Sequence, residues 1–304
     1  MKWYRLLWMI VLYAAAVTCS AAPDICVSMA KYNDNYLTTL RNNLADQAQT
    51  HHLLTFFRDS QNSSEFEKEN ILAFLNQNCP LIVINLVDID QAKALLDLIP
   101  STTPVIFLNR EPEIELPAHA YYVGNDEYRA GKIQISHLMS ISASKLHLGI
   151  LMGDPHSGAT KRRTSAITDF ITAYPSVRIT ISAYAGFSRT EAEQQVTYWL
   201  SQKLPLDAIL ANNDEMALGA LNAIKKANVS LKTINVLGID GTIDALDAIR
   251  RGEMTASVFQ DAEGQASKTV ELASLLQAHQ PIQTQKFYVP TELITLKNYQ
   301  NYIR

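Results

Sequence analysis

Ten apolar, β-rich runs divide this chain: "ICVSMAK", "HLLTFF", "LIVINL", "PVIFLN", "AYYVG", "LHLGILMG", "VRITISAY", "AILAN", "INVLGI" and "ASVF". Most are separated by stretches of helical length whose apolar residues recur near every 3.6 positions, such as "NYLTTLRNNLADQAQ", "SEFEKENILAFLNQN" and "TEAEQQVTYWLSQK". Strands that alternate with such helices are joined by crossovers, which makes the sheet parallel and buries it on both faces. Ten strands are too many for one small doubly wound unit, so the pattern predicts an α/β chain of two doubly wound parallel-sheet lobes. The 304 residues, 47% of them hydrophobic, are enough to fill two cores of ordinary size. The first passage between lobes is predicted near Gly124-Asn125, where "YYVG" ends an edge-like strand and Asp126 stands ready to cap a new helix.

The first 21 residues read as a secretory signal peptide rather than as part of either lobe. Lys2 and Arg5 precede an apolar run from Leu6 to Val17, and Ser20, Ala21 and Ala22 supply a small-residue cleavage region, with cleavage expected after Ala21. The run is too short for a comfortable membrane span, so a retained anchor is the weaker reading. A lipid anchor on Cys19 is weaker still. Loss of this segment takes two positive charges and no acid, moving the formal net charge from −4 to −6. No basic stripe remains, which argues against nucleic acid and anionic membrane surfaces as partners. An exported chain works where disulfides persist. Cys26 lies early in the first strand and Cys79 just before the third. Those strands are neighbours in a doubly wound sheet, so the two cysteines are expected either to be bonded or to be packed as small buried hydrophobes.

In open α/β sheets ligands bind at the carboxyl ends of the strands, and here those ends are polar. Asp34 and Tyr36 follow the first strand, Asn109 and Arg110 the fourth, His156 and Arg163 the sixth, and Phe187 the seventh. Asn213, Asp240 and Gln260 close three successive strands between residues 209 and 261. Carboxylates, amides, a guanidinium and flat rings are what a neutral sugar requires, because its hydroxyls both donate and accept while its ring faces are apolar. The same residues have plainer readings. Asp214 reads as a helix N-cap, Asn85 and Asp88 as caps or turn residues, and Trp199 as packing. Arg163, beside Lys161 and Arg162, could sit on a solvated helix face. The histidines lack metal-ligand spacing. No nucleophile elbow, phosphate-cradling glycine loop or HExxH occurs, so no enzymatic activity is expected.

The pieces "INLVD" at 84–88, "NREP" at 109–112, "YYVG" at 121–124 and "ANND" at 211–214, with the 20-residue spacing from Asp240 to Gln260, resemble the periplasmic sugar-binding proteins related to the galactose/glucose-binding protein. The resemblance covers nearly the whole chain after residue 21 and implies the type I periplasmic binding protein fold, with three crossings between lobes. The other two crossings would fall near Gln260–Ala262 and Val289–Thr291. The expected N-terminal lobe is then 22–124 plus 262–290, and the C-terminal lobe 125–261 plus 291–304. Asp34, Asn109, Arg163, Asn213 and Asp240 match sugar hydrogen-bonding positions of the family. Tyr36 and Phe187 stand where the family has Phe and Trp plates, and Gln260 where it has Asn. Ser157 and Ala159 replace a His and an Asp, with His156 displaced by one, which opens the ligand class to a deoxy sugar, a pentose or another small polyol. The family's calcium loop is missing, so neither metal nor other cofactor is expected. The resemblance implies a periplasmic, monomeric protein that captures a small carbohydrate by hinge closure and delivers it to an inner-membrane ABC permease. The alternative is a ligand-reading subunit for a sensor kinase or chemoreceptor, without a transport role.

Overall fold

The computed structural model describes residues 22–142 and 145–303, so the expected signal peptide lies outside the described residues. Each of the ten apolar runs overlaps a strand, and two short strands follow. The first sheet contains β1 (Ile25–Met29), β2 (Thr55–Asp59), β3 (Ile82–Ile84), β4 (Val105–Leu108), β5 (Ala120–Gly124) and the late β11 (Lys286–Tyr288). Its order is β11-β5-β4-β3-β1-β2, parallel throughout. The second contains β6 (Leu146–Met152), β7 (Val177–Tyr184), β8 (Ala208–Ala211), β9 (Asn235–Asp240), β10 (Ala256–Gln260) and β12 (Thr291–Ile294). Its order is β12-β10-β9-β8-β6-β7, with β12 alone antiparallel, against β10.

Helices cover both sheets: α1 (Asn35–Thr50), α2 (Ser64–Asn76), α3 (Ala92–Leu96) and α9 (Ala262–Gln277) in the first lobe, and α4 (Glu127–Ile141), α5 (Gly158–Ile171), α6 (Arg189–Ser201), α7 (Asp214–Lys226) and α8 (Ile243–Arg250) in the second. The strands are near-continuous apolar runs because helices shield both of their faces. In the first lobe Ile25, Val27, Leu40 and Leu44 pack with Ala266 and Val270 of α9, which returns from the second sheet to lie against α1. In the second lobe α6 and α7 pack together over Trp199, which is 1% exposed, as its helical apolar face predicts. Cys26 and Cys79 form a disulfide with a Cα–Cα distance of 6.2 Å, tying β1 to the residues that lead into β3.

Most helices begin on a side-chain cap, and this is what aims the site. Asp34, Asp126, Asn213 and Asp261 each take a backbone N–H of their own helix's first turn. Asp126 caps α4 as the sequence predicts. Asp214 does not cap α7. Asn213 does, through its Oδ1 to Met216 N at 3.0 Å, and Asp214 becomes the first helical residue, fully buried. The correction has a packing reason. Gly238 lacks a side chain beside Asp214, where a Cβ would stand 2.3 Å from its Oδ1. The carboxylate therefore turns inward and accepts from Thr242 N, Thr242 Oγ1 and Ser257 Oγ.

Candidate functional site

The strand ends of both sheets meet at one cavity of about 340 Å³ that opens to solvent. Asp34, Tyr36, Asn109 and Arg110 line it from the first lobe, and Arg163, Phe187, Asn213 and Asp240 from the second, with Gln260 where β10 ends. Leu37, Ser157 and Ala159 complete the wall. Of the residues singled out in the sequence, only His156 stays outside. Its imidazole is 67% exposed and faces Asp88 at the cleft rim, 3.6 Å away, while the next residue, Ser157, turns into the cavity.

Each polar group is held from behind. Asp34 spends Oδ1 on Leu37 N at 2.9 Å and has Lys31 Nζ 3.7 Å from Oδ2. Arg163 is 3% exposed, not on a solvated face: Nε donates to Glu127 Oε2 at 2.5 Å and Nη1 to Asn212 O at 2.5 Å, which leaves Nη1 3.9 Å from Asp240 Oδ1. Lys161 and Arg162, on the same helix, take the outer face. Arg110 donates to Leu86 O at 2.6 Å, and burial holds its guanidinium below the usual arginine range. Gln260 Nε2 donates to Asp240 Oδ1 at 2.6 Å. Burial drives the Asp240 carboxyl well above the ordinary carboxylate range, and the Asp214 charge adds to the rise while Arg163 opposes it.

Three cavity residues carry positive φ, an unusual backbone for residues with side chains: Asn109 at 67°, Phe187 at 61° and Asp240 at 134°. Such conformations persist only where surroundings enforce them, and they cluster at functional sites. Phe187 lies over Gly153, where a Cβ would stand 2.1 Å from the ring's Cζ, so the absence of a side chain there makes room for the plate. Sequence reasoning did not find Leu37, which looks like any core position of α1, or Glu127, which follows the cap Asp126 and reads as an ordinary first-turn acid. Among the described residues, no group of three or more His, Cys, Asp or Glu side chains could hold a metal ion. The arrangement offers directional donors and acceptors around a small space with a flat ring at its wall.

The periplasmic binding protein domain family matches over residues 25–281. A Rhizobium meliloti protein assigned to rhizopine binding is 33% identical over 294 residues, covering 94% of this chain and 95% of that protein. The D-galactose/methyl-galactoside binding periplasmic protein of Haemophilus influenzae is 27% identical over 285 residues, covering 88% and 85%. An ABC transporter solute binding protein from Bacillus halodurans, solved with bound myo-inositol, superposes with a TM-score of 0.86 at 27% identity, across 93% of this chain and 98% of that one.

Proposed function

The chain belongs to the periplasmic binding protein domain family, and from that premise we propose that it captures a monosaccharide-sized polyhydroxylated ring between its lobes and delivers it to an ABC importer. One observation carries this reading: side chains able to grip hydroxyls come from both lobes to one small cavity. Asp34 and Asp240 accept from hydroxyls. Asn109, Asn213 and Gln260 pair with them in either sense, and Arg163 donates to ring or hydroxyl oxygens. Tyr36 and Phe187 take the ring faces. Groups from both halves can engage the ligand together only when the lobes are closed, so binding favours closure. Ser157 and Ala159 supply no carboxylate at their side of the cavity. The ligand there meets fewer hydrogen-bonding groups than a galactose site of the resembling family would give it, and a cyclic polyol fits as well as a hexose. The sensory alternative is not favoured by these relatives.

The lobe boundaries we propose are 22–124 plus 262–290 and 125–261 plus 291–304, supported by the sheet membership of the strands on either side of each crossing. The protein acts in the periplasm, as a monomer, and returns its ligand chemically unchanged.

Isothermal titration with myo-inositol, D-galactose and D-ribose tests the reading. At least one should bind, and at 100 times its dissociation constant it should add about 2.7 kcal/mol to stability. Asp240→Ala should weaken that binding by roughly 1–3 kcal/mol for each group left unpaired. Failure of a broad panel of sugars and polyols to bind or to raise the melting temperature would overturn it.

A further inference from the structure

Gln265, in the first turn of α9, lines no part of the cavity, yet it is fully buried and every polar atom of its amide is used. Nε2 donates to the Tyr36 hydroxyl at 2.7 Å and to Asn125 Oδ1 at 2.5 Å. Oε1 accepts from Asn109 Nδ2 at 3.3 Å. Two of these partners face the ligand cavity, and the third sits on a strand that passes between lobes. Asn125 in turn donates from Nδ2 to Val289 O at 2.7 Å and Pro290 O at 3.4 Å, on another passing strand. The Tyr122 hydroxyl lies 3.0 Å from Asn125 O and 3.2 Å from Asn109 O and shares its one hydrogen between them, bracing the same pair. The remaining passage, residues 260–262, leads directly into Gln265's own helix, and Asn109 Nδ2 also reaches Gln260 Oε1 at 3.4 Å. One buried amide thus joins all three strands of the hinge to the floor of the cavity.

We propose that Gln265 is a positioning residue that couples ligand seating to lobe movement. Its donation to Tyr36 occupies the hydroxyl oxygen as an acceptor and leaves the hydroxyl hydrogen to be directed elsewhere, toward the cavity that Tyr36 lines. Its hold on Asn109 and Asn125 relates the angle of a ligand-facing amide to the path of the hinge. Asn109 cannot move under a ligand without moving an amide on which the hinge strands also depend. A buried network whose central amide is fully satisfied permits few alternative arrangements, which is what a two-position hinge requires. The inference rests on the binding function proposed above, and it also makes a claim about the protein without ligand.

The test uses the full chain with spin labels on cysteines at Leu72 and Tyr198, exposed positions on the first and second lobes. A control pair at Leu72 and Leu275 lies within the first lobe. Without ligand, Gln265→Leu should broaden the distance distribution between lobes and leave the control pair as in the parent. With whichever of myo-inositol and D-galactose binds the parent, its affinity should fall by roughly 5- to 150-fold, the range of ordinary coupling between sites. Asp240→Ala should lose affinity without broadening the ligand-free distribution. If Gln265→Leu does not fold, Gln265→Glu replaces it, since a carboxylate set against Asn125 Oδ1 should broaden the same distribution. An interlobe distribution identical to the parent's in a folded variant overturns the coupling, whether or not a probe binds. A parent that binds no polyol overturns the proposed function, and the ligand-free distances still decide the role of Gln265.

Discussion

Glu67 is fully buried behind the first lobe's cavity wall, where Oε1 accepts from Val87 N at 2.9 Å and Oε2 has no hydrogen-bond partner among the described residues. Burial raises its carboxyl from 4.5 to about 7, against the pull of that hydrogen bond and of Arg110. The folded state therefore holds this proton more tightly than the unfolded chain does. The resulting stability is fully present below the ordinary glutamate range and is lost as pH rises through about 7. Glu67→Gln, neutral at every pH and still able to accept from Val87, should melt close to the parent near pH 4.5. By about pH 8 it should exceed the parent by up to ~3 kcal/mol. Denaturant titrations at several pH values would check this, and a difference independent of pH would show that folding does not raise the Glu67 carboxyl. Asn109, Phe187 and Asp240 show the complementary economy at residue scale. Their positive φ angles are tolerated because cross-strand hydrogen bonds and packing hold each one in place.

At the scale of elements, the approach of α4 to α5 sets where Arg163 stands. Gly131 permits it: a Cβ there would lie 2.4 Å from Arg163 O and 2.9 Å from Arg163 Cα. Gly131→Ala should push the helices apart at a cost of about 1–3 kcal/mol and weaken ligand binding as well. Calorimetric titration beside a thermal melt separates the two effects, and unchanged affinity would mean that Arg163 keeps its place. The disulfide closes a loop between residues 53 apart, so Cys26→Ala/Cys79→Ala should lower stability by about 2–4 kcal/mol, read as an earlier denaturant midpoint. These elements also show what was legible in advance. The first ten strands announced themselves, the central ones as fully buried apolar runs and the edge strands β2 and β7 as β-rich runs between helical stretches. β11 and β12 did not: they sit at sheet edges and follow one another with no helix between them, outside the regular alternation. The cavity residues could be found because strand ends are where the fold places ligands. Glu127, Gln265 and the inward turn of Asp214 could not, since each acts through partners distant in sequence. The choice at Asp214 depends on Gly238, a strand away.

Across the whole molecule, the lobes touch on the rim of the cavity as well as within it. Asn35 donates to Glu215 at 2.7 Å and Asn62 to Asp154 at 3.1 Å, while Lys161 pairs with Asp90 at 3.5 Å and Arg162 with Glu111 at 3.5 Å. Apart from Arg162–Glu111, whose carboxylate is buried, these are exposed pairs that contribute about 0–1 kcal/mol each and weaken with salt. Buried groups that a ligand would satisfy contribute more, so the guest rather than the rim should hold the closed form. Lys161→Ala should change ligand affinity by less than about 1 kcal/mol, in contrast to Asp240→Ala, when both are titrated under one buffer. A loss as large as that of Asp240→Ala would make the rim a principal latch. The placement of β11 and β12 reaches beyond binding. Each sheet takes an edge strand from residues 286–294, the first on one lobe and the second on the other. A polypeptide threaded outward from its amino end delivers those edges last, after nearly all the rest has emerged. Both sheets therefore wait for their last edge on the same short stretch of chain, so truncation before residue 286 would leave each lobe with an uncovered strand.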